Sequence, residues 1–273
     1  MNLRINVADR RIIRMRRIFM KIAYDGTDYC GFQIQDNEIT VEQILNEKLS
    51  VLLKEEIKVI GASRTDSGVH ALGNVVVFDT QARMDAEKMA TALNTHLPQD
   101  IRVMYSKEVA GDFHPRHRDT VKTYEYKIYN AKVNNPLLSR YTQFEYLPLD
   151  VERMKQAAKY IPGERDFKAF CSSKTSALST VRNVYSVDVL VEEKDERVEA
   201  FCEDFTPKLI TIRVKGNGFL YNMVRIIAGT LIAVGKGRLE PECVKKALES
   251  LNRGDAGPTA RAKGLTLVEI KFE

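Results

Sequence analysis

The chain has 273 residues, 44% hydrophobic and 29% charged, with only 15 glycines and 8 prolines, which excludes a disordered or fibrous protein and predicts a globular one with one large core or two smaller ones. No apolar run approaches the ~20 residues that span a bilayer, and the basic start from Met1 to Arg17 lacks the continuous apolar core of a secretory signal, so a cytoplasmic protein is expected. A formal charge of +5 suits a polyanionic partner without requiring one.

Residues 1–14, with Arg10, Arg11 and Arg14, are expected to be a basic, disordered extension. Phe19 to Tyr24 predicts a strand that ends at Asp25-Gly26. Thr40 is placed as an N-cap, with Val41, Ile44, Leu45, Leu49, Leu52 and Leu53 forming one helical face behind it. Ile57 to Ile60 and Asn74 to Phe78 read as strands. Between them Ser63-Arg64-Thr65-Asp66-Ser67-Gly68-Val69-His70-Ala71 is a charged, turn-forming segment. Such a segment is either a polar hairpin loop or the place where a scaffold displays reactive groups. Asp85 to Leu93 predicts a second helix and Ile101 to Val109 a further strand. Strand, helix, strand, strand, helix, strand is the split β-α-β order.

The second half repeats that order loosely. Arg102, Arg116, Arg118 and Lys122 lead into a predicted strand over 123–129 bearing Tyr124, Tyr126 and Tyr129. Basic residues beside aromatic ones can hold phosphates and stack unpaired bases; the same tyrosines can alternate into a core. A helix from Val151 to Tyr160 is capped by Asp150. Residues 161–180 carry Pro162, Gly163 and many serines without a clear period, which predicts a long surface loop. Strands at Val184 to Val191 and Leu209 to Val214 follow. A long apolar helix from Phe219 to Val234, a short one from Pro241 to Leu251 and a strand from Leu265 to Phe272 complete the order. The expected fold class is α/β (α+β): two ferredoxin-like, RRM-like halves forming one extended, mainly antiparallel sheet flanked by helices, with a central active-site cleft. The expected domains are 15–112 and 113–273.

Cys30, Cys171, Cys202 and Cys243 lie far apart with no C-x-x-C pair, so neither a disulfide framework nor a zinc site follows. In His114-Pro115-Arg116-His117 the proline disfavours a helix presenting both histidines, and no metal is expected. Gly216-Asn217-Gly218 lacks the third glycine of a dinucleotide loop, Tyr221 standing in its place. No Walker motif is present, and no cofactor is expected.

Five segments in order carry a resemblance. They are Tyr24-Asp25-Gly26-Thr27 with Tyr29, Gly31, Phe32 and Gln33; Arg64 to Ala71; Lys122-Thr123-Tyr124-Glu125-Tyr126; Gly218 to Arg225; and Ala256-Gly257-Pro258-Thr259-Ala260 with Gly264-Leu265. Together they resemble the tRNA pseudouridine synthase A family from about Arg17 to Glu273, with Phe32 where a tryptophan is common. The resemblance implies a homodimeric isomerase that turns uridine into pseudouridine at positions 38–40, in the anticodon stem-loop of tRNA. It implies that Asp66 is the essential residue and Arg225 its ion-pair partner. It also implies that Tyr124 stacks on the uracil and that Arg64 enters the space of the flipped nucleotide or holds its phosphate. A carboxylate at Asp66 can attack the sugar C1′, add to uracil C6, or take a sugar proton. Each residue also has a plainer reading: Arg225 a surface helix-end arginine, Tyr124 core packing, Arg64 a neutraliser of Asp66. His70 is expected to be a packed, hydrogen-bonded histidine. A noncatalytic RNA-binding protein on the same scaffold, or a synthase for another RNA site, are the alternatives.

Overall fold

Polar side chains start three of the helices where the sequence places them. In the computed structural model, which describes residues 14–172, 177–193 and 206–273, Thr40 accepts the Gln43 N–H, Asp85 the Glu87 N–H and Asp150 the Arg153 N–H. Each satisfies a donor that a first helical turn leaves unpaired. The helices are α1 (Val41–Leu53), α2 (Ala86–Asn94), α3 (Val151–Ala158), α4 (Met223–Gly235) and α5 (Cys243–Ser250). The basic extension lies, except for Arg14, outside the described residues.

The strands are β1 (Arg16–Tyr24), β2 (Ile60–Gly61), β3 (His70–Thr80), β4 (Ile101–Val109), β5 (Thr120–Asn130), β6 (Gln143–Glu145), β7 (Gly163–Asp166), β8 (Val181–Glu193), β9 (Lys208–Gly216) and β10 (Leu265–Phe272). They form one sheet in the order β4-β1-β3-β10-β5-β9-β8-β7, with β2 on β3 and β6 on β5. Both halves therefore share one arrangement: β4-β1-β3-β2 in the first and β10-β5-β9-β8 in the second. The pairing is antiparallel except for β5 with β6 and β10 with β3. β10 joins the halves, running parallel to β3 at Thr266–His70 and Leu267–Ala71 and antiparallel to β5. This is the extended, mainly antiparallel sheet that the element order predicts. No described helix is long and apolar enough to cross a membrane.

Three expectations change. The strand predicted at Ile57 to Ile60 shrinks to β2, although Ile57 and Val59 are buried. Their backbone N–H groups go instead to Ser50 Oγ and Asn46 Oδ1 on α1, which satisfies the donors without a ladder. The apolar helix starts at Met223 and not at Phe219, because Asn222 sits at φ +61° and breaks the helical path before it. The surface loop predicted over 161–180 is partly structured. Gly163–Asp166 pairs with β8, and Phe167 and Phe170 are fully buried around a single 3₁₀ turn. Two aromatic anchors outweigh the serine-rich composition; residues 173–176 lie outside the description.

α4 is buried on every side except at Arg225. A helix apolar all round belongs in a core, and here it lies so close to the 256–260 segment that a Cβ on Gly229 would stand 1.8 Å from the Pro258 carbonyl oxygen. Gly229→Ala is expected to cost about 1–3 kcal/mol or more by overpacking, seen as a lowered Tm in thermal unfolding.

Candidate active site

The segment carrying Asp66 leaves β2 and enters β3, and residues of the first motif hold it from beneath. Tyr24 Oη and Thr65 Oγ1 are 2.8 Å apart, and Asn74 Nδ2 donates to Tyr24 Oη and to the Ser63 carbonyl. The Phe32 N–H donates to the Thr65 carbonyl and the Gly68 N–H to the Tyr29 carbonyl. Gly31 takes φ +88°, and a Cβ there would stand 2.7 Å from the Thr65 carbonyl oxygen, so only glycine lets the two backbones approach. Phe32 is fully buried, its ring filling the place where a side chain on Gly61 would be. The opening motif thus supports the Asp66 loop. Its glycine was the sequence signal for this role, which the sequence reading did not assign.

Asp66 is about one-fifth exposed, and its Oδ2 lies 3.4 Å from Arg225 Nη1. Burial raises the Asp66 carboxyl above its ordinary range, and the charge and hydrogen bond of Arg225 pull the other way without cancelling it. The guanidinium is shared: Nη1 also donates to Asn222 Oδ1 at 2.7 Å and Nε to the Ala260 carbonyl at 2.9 Å. The fifth motif supplies that carbonyl and fastens itself to α4, with the Ala260 N–H on the Arg225 carbonyl and the Gly257 N–H on Thr230 Oγ1. Arg225 is therefore a held residue facing Asp66, not a free surface arginine.

Tyr124 reaches the same place from β5. Its ring is 6% exposed, meets Phe219 edge-on at 5.3 Å, and its hydroxyl lies 3.1 Å from Ser63 Oγ. Burial pushes the phenol up to about 12, so it is neutral near pH 7. Arg64 is exposed and, among the described residues, forms no ion pair; the partner of Asp66 is Arg225, which removes the neutralising reading of Arg64. His70 is packed as expected. Its ring nitrogens meet the Gly26 N–H and the Asp25 carboxylate on one side and the Lys263 carbonyl on the other. Asp25 is itself partly buried, but hydrogen bonds from Thr27 and Tyr141 outweigh that burial and hold its carboxyl at about 2.

Arg64, Asp66 and Tyr124 open onto one cavity of about 690 Å³, also walled by Arg116, Arg118, Lys122, Asn217 and the Phe219–Val224 turn. A cleft of this size, with an aromatic wall and the Asp66 carboxylate, accommodates a flat ring and presents a proton acceptor or nucleophile to it. Among the described residues, no group of three or more histidine, cysteine or acidic side chains is placed to hold a metal.

Comparison with known proteins gives a consistent result. A family model described as tRNA pseudouridine synthase matches residues 20–117 and 157–273. The protein named tRNA pseudouridine synthase A from Thermoanaerobacter sp. (strain X514) is 43% identical over 258 residues, covering 94% of this chain and all of that relative. The proteins of the same name from Brevibacillus brevis and Exiguobacterium sibiricum are 42% and 39% identical, again over 94% of this chain and over 100% and 97% of their own lengths. With four of the five motifs lining one cleft, the first supporting its Asp66 loop, and matches of this extent, the chain belongs to the tRNA pseudouridine synthase family.

Proposed function

We propose that this protein isomerises uridine to pseudouridine at positions 38–40 of the tRNA anticodon stem-loop, with Asp66 as the catalytic residue. As a member of its family it is an isomerase acting on tRNA. In the reaction the bond from C1′ to uracil N1 breaks, a bond from C1′ to C5 forms, C5 loses a proton and N1 gains one. Atoms balance without a cofactor or energy source. The observation that carries the reading is the convergence of Asp66 and Tyr124 on one cavity, with Arg225 from a third motif 3.4 Å from the Asp66 carboxylate.

In this scheme Asp66, aimed by Arg225, works as nucleophile or base at the sugar or at C6. The Tyr124 ring supports the uracil face while leaving it free to turn in its plane. Arg64, at the exposed lip, occupies the place of the flipped nucleotide or holds its phosphate. The chain divides near residue 112 into a half carrying the Asp66 loop and a half carrying Tyr124 and Arg225. The protein acts in the cytoplasm as a homodimer on one tRNA. A noncatalytic RNA-binding role is less well supported, because it leaves a half-buried, ion-paired carboxylate without a use. The test is tritium release from unmodified tRNA labelled at uracil C5, followed by chemical mapping of the product. Release with modification confined to 38–40 is expected. No release removes the enzymatic reading, and modification elsewhere moves the target.

A further inference from the structure

Three cations gather at the cleft: Arg116 and Lys122 line it, and Arg182 lies beside Gly218, next to the lining residue Asn217. Lys122 stands opposite Gly216 in the β5–β9 register, and Gly216 stands opposite Val184 in the β9–β8 register. Arg182 lies two residues before Val184, on the same face of β8 by the period of a strand. Arg116 approaches from the segment before β5. Among the described residues, none of the three makes an ion pair; Asp119, on the same cavity wall, pairs with none of them, and Glu42 acts on Arg116 from beyond ion-pair distance. Burial, and then the charges of Arg116 and Arg182, push Lys122 down to about 8. Like charges gathered at a half-buried site cost stability unless an anion joins them.

We propose that Arg116, Lys122 and Arg182 together seat one backbone phosphate of the bound RNA, beside the nucleotide that enters the cavity. The inference rests on the proposed function only in taking RNA as the source of the phosphate. The carboxylate of Asp66 repels a phosphate, so the strand's charge settles on the cationic wall and leaves the sugar and base for Asp66 and Tyr124. Arg116 and Lys122 have a second task. Arg116 Nε donates to the Gly61 carbonyl at 2.7 Å and Lys122 Nζ to the Ala62 carbonyl at 3.2 Å, just ahead of the loop that bears Asp66. Both keep further N–H donors for the anion. The same two side chains thereby tie the position of the RNA backbone to the position of the catalytic loop. Arg182 is anchored through Nη1 to the Ser179 and Val181 carbonyls, and Gly218 leaves space beside its Nε.

The test uses the full chain and anticodon stem-loop RNAs, each with one neutral methylphosphonate at a phosphate flanking the target uridine. Binding is measured for the intact protein, Arg182→Gln and Lys122→Gln, the second keeping a donor for the Ala62 carbonyl. At one phosphate the neutral substitution is expected to weaken binding to the intact protein at least about tenfold, the scale of one charge-assisted hydrogen bond. In either variant the same substitution is expected to change binding less than about twofold. Arg182→Lys is expected to recover part of the loss. The two glutamine variants are expected to unfold at the same temperature as the intact protein or higher, since a like-charge contact is removed. Losses that multiply independently at every phosphate would overturn the seat. Tritium release followed on the same samples keeps the two ideas apart: coupling without release removes the isomerase but keeps the seat, and release without coupling does the reverse.

Discussion

Asp66→Ala is expected to abolish tritium release, by at least about 10⁴-fold, the upper range for a positioned proton-transfer group, while leaving the fold as stable as before or more so. The second half of that result follows from the environment of the carboxylate. Burial holds the folded-state pKa of Asp66 above its unfolded value despite Arg225. A group raised in this way favours the folded state at low pH, and that contribution is lost as pH rises through its folded pKa. At neutral pH the ionised Asp66 is therefore a net cost, and its removal returns that cost. The Tm of Asp66→Ala relative to the intact protein should rise from about pH 3 to pH 7, as followed by thermal unfolding across that range. Arg225 keeps Asn222 and the Ala260 carbonyl in the variant, so it is not stranded. A variant equally inactive but destabilised at neutral pH would show that Asp66 serves the fold. The same raised pKa sets the acid limb of the pH–rate profile, with a midpoint above the ordinary aspartate value of about 3.9.

Arg225→Met carries the second large effect, and its signs differ. The charge that lowers the Asp66 pKa disappears, so burial acts alone and the acid limb moves to higher pH. At neutral pH the rate falls by about 10²–10³-fold, the range for loss of one preorganised charged or hydrogen-bonding group. Stability also falls, because an unpaired, half-buried carboxylate and the orphaned Ala260 carbonyl remain. Adding Asp66→Asn to Arg225→Met should restore the part of Tm lost to the unpaired carboxylate, not the part lost at the Ala260 carbonyl, and should not restore rate, a non-additivity that marks the two as one unit. Arg225→Lys is not a rescue. An ammonium lacks the planar fork that lets one side chain meet Asp66, Asn222 and Ala260 together. Equal pH profiles for Arg225→Met and the intact protein would break the pairing argument.

Local chemistry was legible where a single residue decides the outcome. Thr40 and Asp150 cap the helices expected behind them, Asp85 caps a helix whose first residue it was expected to be, and the alternating order of elements yields the two related halves. Misreadings arose where tertiary partners override local pattern. Ser50 and Asn46 take the backbone donors of a β-branched run, and Phe167 and Phe170 bury a segment whose serines advertise a loop. Within the site, Asp66 and Arg225 lie in motifs far apart in the chain, and only family resemblance joined them before the structure placed them 3.4 Å apart. The supporting roles of Tyr24, Gly31 and Phe32 were hidden because they act on a backbone that sequence spacing cannot locate. Arg182 was hidden for a related reason. Its nearness to Lys122 comes from strand register across β9, which no periodicity within either strand reveals.

The place of β10 has a consequence for how the molecule comes into being. This strand seals the seam between the halves, yet most of the chain separates it from β3. Closing so long a loop is slow, and its reward comes only once the strand is available. During synthesis the earlier half can assemble β1, β3 and β4 around α1 and α2, but the seam stays open until residues 265–272 emerge from the ribosome. Leu265 itself lines the cavity. A nascent chain halted before that strand carries the Asp66 loop but no finished pocket, so competence for chemistry arrives late in assembly and in one step.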